Sequence, residues 1–151
     1  MHMRLAQQSS GQSPTQYSLG EATPDRFAMA RAGLVDLCAK LSPEDCNLQA
    51  MPETSPAKWH LAHTSWFFET FLLESFSAGY LPVNPLYAVL FNSYYNGVGK
   101  QYPRAQRSLL SRPTLDEVYA YRATVDAAVL SLLEDENHLE RELIRARIEL
   151  G

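Results

Sequence analysis

The sequence predicts an all-α protein, an antiparallel bundle of about four helices with the last helix cut short. Three observations carry this expectation. Apolar residues recur at spacings of three and four through the long segments, as one face of a helix requires. Ser, Thr or Asn beside proline or acidic residues marks the start of each segment. No run alternates with period two, and no hairpin dipeptide stands between β-branched segments, so nothing competes as a sheet.

Taken in order, residues 1–20 are rich in Gln, Ser and Gly and lack periodicity, and are expected to form a flexible tail. Thr23-Pro24-Asp25 opens the first helix with a cap, a first-turn proline and an acid at the positive helix end. Phe27, Ala30, Leu34, Leu37 and Leu41 would form its buried stripe, and Pro43 its stop. The connection from Ser42 to Thr54 is too irregular to assign. Thr54 or Ser55 can then cap a central helix with Pro56 in its first turn, ending near Ser77 to Gly79. Only a narrow band through Lys58, Ser65 and Glu69 is polar, so this helix should be enclosed on most sides.

Leu81 to Pro85 breaks the chain before a short helical piece through Leu86, Val89 and Leu90. A long connection follows to Pro113, and the density of Phe91, Tyr94, Tyr95 and Tyr102 argues that it is ordered by packing. Thr114 caps the next helix, with Glu117 in the reciprocal capping-box position and a stripe from Leu115 through Val118, Tyr121, Arg122, Val125 and Val129 to Leu132. Asn137 is expected to cap a final helix through Leu139, Leu143, Ile144 and Ile148.

At 151 residues, with 46% apolar and 20% charged residues, the chain suits one globular domain with a core of its own. No apolar run approaches the roughly 18 residues of a membrane span, and the N-terminus lacks the apolar block of a signal peptide. The cytoplasm is therefore the expected compartment, with Cys38 and Cys46 as structural thiols. A net charge of −4 speaks against a nucleic-acid partner. Its distribution is uneven, because no acid lies between Glu74 and Asp116 while Lys100, Arg104, Arg107 and Arg112 fall close together. That patch is either a solvated loop or a site for a small anion, which arginine can hold in a bidentate fork.

Of the four histidines, His2 lies in the tail, and His60 and His63 stand about 60° apart on the central helix, able to face one cavity. They read as hydrogen-bonded boundary residues or as ligands. Two imidazoles fall short of the three side-chain ligands a stable transition-metal site usually needs, and His138 would join them only if the bundle brought it alongside. No catalytic triad order, phosphate loop or H-E-x-x-H is present, and paired-carboxylate chemistry is unsupported. No residue is therefore assigned as catalytic.

The blocks SPAKWHLAHTSWFFETFLL, LFNSYYNGVG, PRAQRSLLSRPT and VYAYR closely resemble the N-terminal DinB-like domain of ergothioneine-biosynthesis sulfoxide synthases, over a span from about Thr23 to the last residue. The resemblance implies a DinB-like helical domain over residues 21–151. It also implies an Fe(II) enzyme that uses O₂ to join a thiol, γ-glutamylcysteine or cysteine, to the imidazole of hercynine. Within that family the histidine closing the W-x-L-A-H block is an iron ligand, here His63, and the P-R-x-x-R arginines hold the thiol's carboxylates, here Arg104 and Arg107. The family does not require histidine at His60, and Ser108 stands where glycine is common.

The family's last helix continues into a Q-H-E-x-Q-H segment carrying two more iron ligands, followed by a large sulfatase-modifying-factor-like domain. Neither lies within these 151 residues. The expectation is a fragment or split-enzyme piece that is inactive and binds no iron stably alone. It would dock with its missing half or self-associate through the last helix. The alternative is a stand-alone DinB-like module that binds a partner or small anion without catalysis.

Overall fold

Thr23 starts the first helix as its sequence requires: the hydroxyl accepts the Arg26 N–H at 3.3 Å, and α1 runs Pro24–Cys38. The computed structural model describes residues 22–151, so the expected tail lies outside the described residues. The buried face of α1 differs from the expected stripe. Phe27, Arg31 and Cys38 are buried, whereas Ala30, Leu37 and Leu41 are exposed. Spacings of four and seven define a helical row as well as the apolar one does, and Arg31 settles the choice. Its Nε–H donates to Asp126 at 2.7 Å, and its two Nη groups donate to Thr64 and Ser65 at 2.9 and 2.6 Å.

The unassigned connection contains a one-turn helix, α2 (Pro43–Cys46), closed by a capping box between Ser42 and Asp45. The central helix begins at α3 (Ala57–Phe68), passes through a π-helical turn (Glu69–Leu73) and ends in α4 (Glu74–Phe76). Its cap is a correction to the expectation. Pro56 is the N-cap and no side chain caps the helix, because the Ser55 hydroxyl is occupied by Arg107. The narrow polar band is itself buried, and each member has partners. Lys58 Nζ donates to the Leu110 carbonyl at 2.7 Å, Ser65 accepts from Arg31, and Glu69 accepts from Tyr80 and Tyr121 hydroxyls and the Val83 N–H. Gly79, at φ +75°, supplies the left-handed turn that brings Tyr80 back to Glu69.

After α5 (Tyr87–Leu90) the long connection is ordered, as its aromatics foretell. Tyr95 packs on Phe71 and Trp66, and buried Asn92 exchanges hydrogen bonds with the Tyr95 backbone at 3.0 and 3.1 Å. A 3₁₀ helix (Arg104–Leu109) closes it. α6 (Leu115–Glu134) has the expected Thr114–Glu117 capping box and buries Val118, Tyr121, Val125 and Val129. Each valine buried contributes about 1.5–3 kcal/mol. α7 (Arg141–Ile148) starts three residues later than expected, with Glu140 and not Asn137 at its N-cap. Asn137 sits in the preceding turn, its N–H on Asp135, and Leu139 and Leu143 are exposed, leaving Ile144 and Ile148 as the buried pair.

α3 packs chiefly on α6, α1 lies against both, and α7 covers α6 and the π turn. The described residues are thus an all-α bundle of four principal elements with no strand. Among them, no helix is long and apolar enough to cross a membrane.

Candidate functional site

The first turns of α3 carry Trp59, His60 and His63 toward the side of the bundle covered by the 91–113 connection. From that connection come Ser93, Tyr94, Arg104 and Arg107, and the two sides enclose an open cavity of about 600 Å³. The cavity therefore unites the three residues singled out from the sequence, His63, Arg104 and Arg107, and places His60 beside them.

His63 is held on three sides. Its ring stacks on Trp59 at 4.6 Å between centroids and 14° between planes, and on Trp66 at 5.6 Å and 24°. A carbonyl can only accept, so the 2.7 Å contact with Phe91 O places the proton on Nδ1 and leaves Nε2 with its lone pair. The adjacent carbonyl, Leu90 O, accepts the Trp59 indole N–H at 3.0 Å, so two successive peptide groups fix both rings. Burial pushes the His63 pKa below its ordinary value; the Phe91 bond opposes this, and His60 and Arg107 reinforce it. His60 is lowered in the same direction by burial, Arg107 and Arg104. Both shifts favour the neutral imidazole.

A pH dependence follows from these directions. Because the unfolded chain takes up these protons first as pH falls, the stability is fully present above about pH 6.5 and declines as pH falls through the lowered folded values. Thermal denaturation between pH 7.5 and 5 is expected to show this loss, with a smaller slope in His63→Gln. An equal slope in the variant would place the linked protons elsewhere.

Arg107 is 3% exposed, with its guanidinium carbon 3.4 Å from the Trp59 ring centroid and Nη1 donating to Ser55 Oγ at 2.7 Å. Among the described residues no carboxylate forms an ion pair with it. Burial, and then Arg104, lower its pKa to about 10. Arg104 is exposed at the mouth. A buried cation without an acid beside it is costly to keep, and a bound anion relieves that cost.

The arginine turn is rigidly seated. Gln49 donates to Thr54 O and Arg104 O and accepts the Ser108 N–H, while Asn47 donates to Ser108 O at 2.8 Å. Ser108, where the resembled family often has glycine, needs no special backbone, since no non-glycine residue among those described has positive φ.

His138 does not join the site. It lines a different cavity with Phe76 and Asp135, its Nε2–H donates to Phe76 O at 3.0 Å, and its Nδ1 accepts the Glu140 N–H. A three-histidine metal site is thereby removed. Among the described residues no group of three or more His, Cys, Asp or Glu is placed to hold a metal ion. His63 has the tautomer of a metal ligand, whose Nδ1–H is characteristically tied to a carbonyl, but it is a single donor. The described residues do not fit a complete iron cage.

Sequence reasoning missed Glu53, Ser93 and Tyr94 as lining residues and Trp59 as the plate between arginine and imidazole. Trp59 had a signal, one turn before His63 on the same face. Ser93 and Glu53 had none, because their position depends on how two irregular connections meet.

The fold and cavity together define an all-α bundle that opens a ligand-sized site on its central helix. The sequence profile of the DinB superfamily matches residues 26–149, and the chain belongs to that superfamily. No curated protein matches it.

Proposed function

We propose that this chain is the N-terminal DinB-like part of a non-haem iron sulfoxide synthase of the ergothioneine type, with His63 as one iron ligand and Arg104 and Arg107 as the holders of the thiol's carboxylates. The observation that carries the reading is the meeting of a tautomer-locked imidazole with two arginines in one cavity.

The course of the last helix supports it. Arg147 Nη1 donates to Phe71 O, and Gly151, three residues past the end of α7, lies against the Phe67 ring, so the last described residues run antiparallel to the central helix toward His63. A continuation in that register passes beside His63 after one further turn. That is where the resemblance calls for two more ligand histidines. Exposed Leu139, Leu143 and Leu150 give such a missing part an apolar surface to dock on.

Iron, when bound, would supply the activation of O₂. This chain's own residues do the binding: Arg107, plated on Trp59, and Arg104 at the mouth neutralise the thiol's carboxylates, and the Phe91 carbonyl keeps Nε2 of His63 free to ligate. Alone, the chain should turn over no substrate.

The test is co-expression with the coding segment downstream of Gly151 and assay with hercynine, γ-glutamylcysteine, Fe(II) and O₂. Sulfoxide is the expected product, and His63→Ala should abolish it while the helical content stays. Retained turnover in that variant would overturn the ligand assignment. Arg104→Ala should raise KM for the thiol about tenfold with little change in kcat, the loss expected of one charge-assisted contact. An unchanged KM would return Arg104 to the solvated surface.

A second reading is favoured by the buried, acid-free Arg107: a stand-alone module that binds a small anion without catalysis. It predicts anion binding that His63→Ala leaves intact, and no sulfoxide with any downstream segment.

A further inference from the structure

The cavity is not uniformly basic. Glu53 lines it together with Arg104 and Arg107, yet forms no ion pair with either, so charges of opposite sign face one space without cancelling each other. Their separation is built into the backbone. Gln49 Nε2 donates both to Thr54 O, next to Glu53, and to Arg104 O at 3.0 and 2.8 Å, which locks the spacing between the acid's loop and the arginine turn. Arg107 is engaged instead by Ser55 Oγ, two residues along the loop from Glu53, and by the Trp59 face.

We propose that Glu53 is a specificity-determining residue that receives the ammonium group of a zwitterionic α-amino acid ligand whose carboxylate lies on Arg104 and Arg107. This rests on the reading of the arginines as the carboxylate site and adds a discrimination to it. Arginines alone accept any small carboxylate, whereas an unpaired carboxylate across the same cavity repels a second acidic group and attracts a cation. The site therefore selects an amino acid over the same molecule without its amino group. Glu53 is exposed, which makes the selection modest and sensitive to salt.

The experiment titrates the 151-residue chain, followed by NMR of the arginine Nε–H groups, with γ-glutamylcysteine and with glutaryl-cysteine, which lacks the ammonium. Wild type is expected to bind the amino acid about three- to fivefold more tightly at low salt, with the preference shrinking at 0.5 M salt, roughly as screening requires. Glu53→Gln should remove the preference while still binding both ligands, and Arg107→Leu should weaken both alike. Equal binding of the two ligands by wild type, or a preference that survives Glu53→Gln, overturns the role of Glu53 and leaves the arginine site standing. Failure of wild type to bind either ligand overturns both.

Discussion

Replacing Glu69 by alanine is expected to lower the melting temperature of this chain by about 10–15 °C, the consequence of losing roughly 3–5 kcal/mol in a domain of this size. Glu69 is 1% exposed at the start of the π turn, and three donors converge on it: Tyr121 Oη at 2.5 Å, Val83 N at 2.8 Å and Tyr80 Oη at 2.9 Å. Alanine leaves all three without an acceptor: the buried Tyr121 hydroxyl bears the full cost of an orphaned donor, about 1–3 kcal/mol, while half-buried Tyr80 and the N–H of exposed Val83 each lose a charge-assisted bond. Tyr121 is 2% exposed, which shuts its hydroxyl off from bulk solvent. Its phenol sits far above its ordinary pKa, through burial first and Glu69 second, so in the wild type it stays protonated and donates to Glu69. Since folded domains are stable by only about 5–15 kcal/mol, this one change consumes much of the margin.

The loss should also reach the cavity. Tyr80 and Val83 anchor the segment that leads into α5, and the Leu90 and Phe91 carbonyls at its end orient Trp59 and His63. Glu69→Gln, which keeps one acceptor oxygen, should cost about half as much. An unchanged melting temperature in Glu69→Ala would show that the loop is held by its own packing.

Local rules made much of this architecture legible in the sequence. Caps at Thr23 and Thr114 and the apolar rows of the central helix and α6 have the positions their residues dictate. The misplaced features of α1 and α3 share a cause, which is a polar side chain committed to a distant partner. Arg31 looks like solvent-facing decoration on α1 until Asp126, 95 residues later, draws it inward and turns Leu37 out. Ser55 looks like a cap until Arg107, 52 residues later, takes its hydroxyl. Thr64 likewise serves both Arg31 and Arg122, a half-buried bridge no local pattern announces. The site divides along the same line. His63 and the arginine pair stood out by residue type and by resemblance, while Glu53 and Ser93 enter the cavity because two irregular loops meet there.

Arg107 supplies the sharper test of what the cavity is for, because its structural and functional roles predict opposite signs. Were it a staple, Arg107→Leu would destabilise the fold through loss of the Ser55 hydrogen bond and the Trp59 contact, each worth about 0.5–2 kcal/mol. Against these stands the cost of a desolvated cation with no carboxylate, several kcal/mol in a protein interior, and the same burial, with Arg104, pushes its pKa down to about 10. The cost exceeds the gains, so Arg107→Leu is expected to leave the melting temperature unchanged or higher, while affinity for a small carboxylate ligand falls about 100-fold, the loss of two charge-assisted hydrogen bonds. A carboxylate ligand should correspondingly raise the melting temperature of wild type and not of the variant. A variant that melts several degrees lower would make Arg107 a structural clasp and remove the main physical ground for an anion in this cavity. A gain in stability with loss of binding is the pattern of a residue kept for its ligand at the expense of the fold.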